Sequence, residues 1–275
     1  MKTVTRLLLP ALLLAMPAQA QSSDTVLLSA AGSLRGALSE VAKVFEQRSG
    51  VRVEMKYGAS GLLKDEIAGG ARAEVFASAN MEHPQALMQA GMSGPVVLFA
   101  RNRMCALVRE GIAADPATLL ERMLDPGIKL GTSTPKADPS GDYAWEIFKK
   151  AEALKAGSFV VLENKALQLI GGRSSAPPPP GLSAYGALLA AGKADVFLTY
   201  CTNAVVATKE NASQRIVELP ADLVVGADYG LTVIATAPPA AYRFAMFIMS
   251  DDGQRILARH GFSAPGFHGT AISDR

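Results

Sequence analysis

Cysteine, histidine and tryptophan are scarce in this 275-residue chain, which has two, three and one of them. The two cysteines, Cys105 and Cys201, and the histidines His83, His260 and His268 show none of the short paired spacings that hold zinc. No metal site or resident cofactor is therefore expected. In an exported chain an isolated cysteine pair reads either as a disulfide or as two buried thiols, and sequence alone leaves both open. Charge is sparse too. Charged residues make up 19% of the chain and the net charge is +2, without the clustered lysine and arginine that nucleic acid or an anionic membrane surface requires. Neither Gly-x-x-x-x-Gly-Lys-Ser/Thr nor Gly-x-Gly-x-x-Gly follows a predicted strand, which argues against a nucleotide ligand.

What is present starts with Lys2 and Arg6, the apolar run Leu7 to Met16, and Ala18-Gln19-Ala20. That order is the pattern of a secretory leader, predicted to span residues 1–20, and the run is about half of what a bilayer crossing needs. Lys, Asp or Glu interrupts every later apolar segment. The expected mature product is a neutral, periplasmic protein of 255 residues, since the leader carries both excess positive charges.

Short β-rich runs alternate with helix-period segments, which predicts an α/β fold with a mostly parallel sheet. Strands are predicted at Val26 to Leu28, Val51 to Tyr57, Val75 to Ala77, Val96 to Phe99, Ala106 to Val108, Ile128 to Gly131, Phe159 to Leu162, Val196 to Tyr200 and Leu231 to Ala235. Leu34, Leu38, Val41, Ala42 and Phe45 share one helical face, as do Ala144, Ile147, Phe148 and Ala151, and Phe244, Phe247 and Ile248. A further helix is expected from Leu62 to Ala68. The Pro177 to Pro180 run predicts a stiff, extended surface loop.

Two strand-to-helix junctions carry the chemistry: Ser29-Ala30-Ala31-Gly32-Ser33-Leu34 and Tyr57-Gly58-Ala59-Ser60-Gly61-Leu62. Each places a serine at an expected helix N-cap. Singly, such a serine satisfies its own helix. Paired at the carboxyl ends of neighbouring parallel strands, the two helix starts offer free N–H groups and positive dipole ends, and small flanking residues let a ligand approach the backbone. The combination points to an oxyanion cradle.

With these motifs, residues 25 to 262 resemble the periplasmic molybdate-binding proteins of ABC importers. The resemblance rests on Ala-Ala-Gly-Ser-Leu at 30–34, Gly-Ala-Ser-Gly at 58–61, Gly-Gly-Ala-Arg-Ala-Glu-Val-Phe-Ala-Ser-Ala-Asn at 69–80, Phe197-Leu198-Thr199-Tyr200 and Arg259-His260-Gly261-Phe262. It implies a two-lobe, type II-like binding-protein fold, with one lobe formed by 21–101 and 223–275 and the other by 102–222. The chain would cross between them near residues 100–103 and 219–228. It also implies a monomer that carries a small oxyanion, molybdate first and otherwise tungstate, sulfate or an organic anion, to an inner-membrane ABC permease. By the same resemblance Ser33 and Ser60 donate from one lobe and Tyr200 donates its phenol from the other, while Ser140 and Leu182 supply backbone N–H groups.

The chain departs from the family pattern in having Gly58-Ala59-Ser60-Gly61 where adjacent serines are usual, and Gly32 in place of alanine. Asp138 and Asp142 bracket Ser140 and are expected to cap the helix that follows. A carboxylate turned into the cleft would instead call for something other than a bare tetrahedral oxyanion. The rival reading is a secreted serine hydrolase built on Ser60 and Lys64. It has little support: the lysine stands at i+4 rather than i+3, no Gly-x-Ser-x-Gly elbow occurs, and no general base is evident among the histidines.

Overall fold

The computed structural model describes residues 25–177 and 181–265. The expected leader, His268 and most of the proline run lie outside these residues. The chain begins with β1 (Thr25–Ala31), passes through a single 3-10 turn at Gly32–Leu34 into α1 (Arg35–Ser49), and returns as β2 (Arg52–Gly58). Next come α2 (Ser60–Ala68), β3 (Val75–Ser78) and α3 (Glu82–Gln89). Leu38, Val41, Ala42 and Phe45 of α1 are buried, as helical periodicity requires. Gly50 ends α1 in the left-handed conformation, φ 72°.

β4 (Val97–Val108) is one continuous strand where two short ones were predicted, and it is the spine of the molecule. Its first part, to Arg103, pairs antiparallel with β9 (Gly226–Val233); its second part, from Met104, pairs with β7 (Val196–Tyr200) and β8 (Arg215–Glu218). Two sheet halves thus share this strand. One runs β2-β1-β3-β9-β4, and the other places β4 between β8 and β7 and continues to β5 (Leu130–Ser133) and β6 (Leu167–Ile170). Outer pairs such as β1 with β2 and β5 with β6 are parallel, while pairs involving β4 or β9 are antiparallel. The second half also carries α4 (Leu119–Leu124), α5 (Pro139–Leu154), α6 (Ser158–Lys165), α7 (Ala184–Ala190) and α8 (Cys201–Glu210). After β9 the chain ends on the first half with α9 (Pro239–Met249) and α10 (Asp251–Arg259).

The predicted strand at Phe159 to Leu162 is corrected: this segment is α6. Four successive apolar residues suit either a buried strand or one turn of helix, and periodicity cannot separate them. Here Ser158 and Leu162 are buried four residues apart while Val160 and Val161 are exposed, which is helical spacing. The Glu152 carboxylate accepts from the Gly157 and Phe159 N–H groups and so supplies the cap. β6 and β8, four residues each, are further strands that were not predicted.

Cys105 and Cys201, 96 positions apart in sequence, form a disulfide with their Cα atoms 4.9 Å apart. It fastens β4 to the first residue of α8, immediately after Tyr200. Closing a loop of that length contributes on the order of 2–5 kcal/mol, chiefly by restricting the unfolded chain. Reduction, or replacement of both cysteines by serine, is expected to lower unfolding stability by that amount in urea titrations run with and without reductant.

Candidate functional site

β1 and β2 lie side by side and parallel, with Ala31 opposite Gly58, so the starts of α1 and α2 open at the same end of the sheet. Between them and the second half lies a cleft of about 840 Å³. Its lining includes Ser33, Ser60, Asp138, Leu182 and Tyr200 together with Arg35 and Tyr57. A four-oxygen anion needs on the order of 100–150 Å³, at about 30 Å³ per water-sized group. The cleft therefore has room for an anion at its inner end and for solvent along an entry path. A smaller hollow of about 440 Å³ opens among Leu27, Arg72, Glu74 and Met92, but the Glu74 carboxylate there is held by the Leu27 N–H.

Neither serine is an N-cap, contrary to the sequence expectation. Ala59 caps α2 and Ser60 is its first residue, while Ser33 sits within the 3-10 turn ahead of α1. Their hydroxyls are consequently free of helix capping. Ser33 Oγ lies 2.9 Å from the Tyr229 hydroxyl. Ser60 is 1% exposed, and its Oγ accepts from the Ala79 N–H at 3.0 Å, which leaves its own proton to be donated elsewhere. Lys64, the other member of the rival pair, is bonded to Asp65 at 2.5 Å.

Tyr200 ends β7 and is 2% exposed, and its hydroxyl, although near enough to the Tyr229 hydroxyl to lower that phenol's pKa, makes no well-formed hydrogen bond among the described residues. Burial pushes its pKa well above 10, so it remains a neutral donor. Its ring packs edge-on against Tyr143 of α5, with ring centres 6.2 Å apart, and at a tilt against Tyr229 of β9, at 5.7 Å. Burial likewise raises the pKa values of those two phenols. Tyr229 also receives a hydrogen bond from Asn102, which binds Thr202 as well. This row of three phenols was not foreseen, because Tyr143 and Tyr229 carry no local motif.

Ser140 is brought close but turned away from the role expected of it. Its backbone N–H is taken by Asp138 Oδ1 at 3.1 Å, and Asp138 rather than Ser140 lines the cleft. The Ser140 hydroxyl is buried without a partner. Asp138 thus does both things considered for it: it caps α5 and borders the cleft. Burial raises its carboxyl to about 6, against the pull of the Ser140 N–H and the Ser133 hydroxyl. Asp142 faces elsewhere and accepts from the Lys136 N–H at 2.8 Å. Leu182 stands at the cleft rim with its side chain exposed, one residue before Ser183, which caps α7.

The two halves touch across the cleft. The Gly61 N–H donates to the Ala137 carbonyl at 2.9 Å, the Tyr143 hydroxyl donates to the Ala79 carbonyl at 3.3 Å, and Arg173 pairs with Asp65 at 3.1 Å. Glycine is required at position 61, since a Cβ there would collide with the Lys136 and Ala137 carbonyls. Lys136 holds φ 67°, the one positive φ of a non-glycine among the described residues, so the loop is shaped for this contact. Arg35 brings a positive charge to the cleft wall, its guanidinium 4.6 Å from the centre of the Tyr57 ring. Among the described residues no group of three or more His, Cys, Asp or Glu could hold a metal ion, and no helix is long and apolar enough to cross a membrane.

The architecture and sequence both have counterparts. An uncharacterized protein of Pasteurella multocida, PM1146, is 31% identical over 85% of this chain and 96% of its own length. The molybdate-binding protein ModA of Mycobacterium tuberculosis is 26% identical over 89% of this chain and 87% of its own. The solved structure of the sulfate-binding protein SubI, also from M. tuberculosis, superposes with a TM-score of 0.71 at 20% identity, covering 88% of each chain. Residues 26–263 match the model of the family described as bacterial extracellular solute-binding protein. With a match of that extent and the cleft between its sheet halves, the chain belongs to the bacterial extracellular solute-binding proteins.

Proposed function

We propose that the protein is the periplasmic receptor of an ABC importer, that it captures a small oxyanion of the molybdate and sulfate class in the cleft, and that it is not an enzyme. The observation that carries this reading is the Tyr200 hydroxyl, buried and unpartnered beside two helix starts. A buried polar group without a partner costs about 1–3 kcal/mol, so its retention argues for a partner that arrives from outside. Ser60, its oxygen already accepting, and Tyr200 are both poised to donate. Donors of this kind suit an anion that must be held and later released. A smaller contribution comes from relatives and structural neighbours that bind molybdate and sulfate.

In the proposed cycle the halves named above act as lobes. The anion binds first to the starts of α1 and α2, and the second half then swings in to deliver Tyr200 and the backbone near Leu182. A closed state favoured by its extra contacts with the anion would be the form that the permease recognises. The Gly61 to Ala137 hydrogen bond and the Arg173 to Asp65 pair would hold that state.

Two predictions follow from this geometry. Tyr200→Phe and Ser60→Ala are each expected to raise the Kd for the preferred oxyanion about tenfold in calorimetric titration, as loss of one charge-assisted hydrogen bond of about 1.5 kcal/mol implies. Tyr200→Phe should at the same time leave unfolding stability unchanged or higher, because it deletes an unsatisfied hydroxyl; a stability loss without a change in affinity would contradict the assignment. Gly61→Ala is expected to weaken binding by tenfold or more while preserving the fold, read as a more expanded ligand-saturated particle in small-angle scattering.

A further inference from the structure

A carboxylate beside an anion site is electrostatically adverse, and Asp138 stands there without a counter-ion. Among the described residues no lysine or arginine lies within ion-pair distance of it. Lys136, two residues away, acts on Asp142, Arg173 is paired with Asp65, and Arg35 lies over Tyr57. The groups that face Asp138 are the Ser133 hydroxyl at the end of β5, the Asp142 carboxylate on its own helix, Tyr185 on α7 and Tyr200 at the end of β7. Both phenols have pKa values raised by burial and stay neutral. One carboxyl oxygen of Asp138, Oδ1, is occupied by the Ser140 N–H. The loop after β6 closes over the side chain at Gly171, where φ is 80° and an added Cβ would meet the Asp138 Cβ and its second carboxyl oxygen, Oδ2. Asp138 is therefore covered by protein except where it borders the cleft.

We propose that Asp138 is a specificity determinant that couples anion capture to the uptake of one proton: the bound state carries a neutral carboxyl whose O–H donates to the anion. This rests on the reading of the cleft as an oxyanion site. The proton comes from solvent, the carboxylate and one proton become the acid, and no other bond changes. A fully ionised anion such as sulfate or molybdate meets repulsion from the charged form and a donor from the protonated form. With the free carboxyl titrating at about 6, about one molecule in ten is protonated at pH 7 and about one in a hundred at pH 8. Apparent affinity scales with that competent fraction. It should consequently be highest below pH 6 and fall about tenfold per unit above pH 7.

The test is calorimetric titration of the mature protein with sodium molybdate, sulfate and phosphate between pH 5.5 and 8.5, in buffers of different ionisation enthalpy so that protons are counted. The expected result is a Kd for molybdate or sulfate that rises about tenfold per pH unit above 7, with close to one proton taken up per anion. Asp138→Asn, whose amide still caps α5, should bind with no proton uptake and a flat pH profile; Asp142→Asn should keep both the uptake and the slope. Several results would overturn the proposal while leaving the oxyanion reading intact: pH-independent binding by the unaltered protein, a slope that persists in Asp138→Asn or disappears in Asp142→Asn, or binding of phosphate alone without proton uptake, which would mean an ionised Asp138 accepting from the ligand's own hydroxyl. Absence of binding to all three anions at every pH would remove the oxyanion reading itself.

Discussion

Polar atoms taken out of water need partners, and where the two sheet halves meet several of them are arranged around an opening rather than around each other. The Tyr200 hydroxyl is buried with its ring packed against Tyr143 and Tyr229, and Ser60 is buried and bonded to the Ala79 N–H. A core of apolar side chains at these positions would be more stable, since unpaired buried groups cost free energy that packing alone does not return. The remaining architecture can be understood as holding these atoms still. β1 and β2 align the helix starts, β4 carries the second half into register, and the disulfide fixes the residue that follows Tyr200.

Much of this was legible in the sequence, for identifiable reasons. The apolar stripes of α1, α5 and α9 announce themselves because a helix packed on a sheet must repeat its buried residues every three or four positions. The two serine junctions were visible because small residues crowd where strands turn into helices. Other elements were harder: β6 and β8, four residues each, are too short to show a period, and the eight-residue α6 contains four successive apolar residues that a strand would also use.

The site was legible in its list of residues more than in their roles. Ser33, Ser60, Leu182 and Tyr200 all border one cleft, but the hydroxyls of Ser33 and Ser60 are released from capping by one-residue shifts in where each helix begins. Such shifts are smaller than any sequence pattern resolves. Asp138 was recognised as a cap; that a cap can also face a ligand depends on how Gly171 lets a distant loop fold over it. Tyr143 and Tyr229 come from elements 86 residues apart and meet only through the tertiary fold.

The continuity of β4 has a mechanical consequence. From Val97 to Arg103 it is laddered to β9, and beyond that point the two strands part company, β4 joining β7 and β8. A swing of one half against the other would twist the molecule where β4 leaves β9, and the irregular segment 219–225 between β8 and β9 crosses at the same place. Stiffness of the ribbon formed by β4 and β9 would then oppose opening, alongside the hydrogen bonds that tie Gly61 to Ala137 and Tyr143 to Ala79.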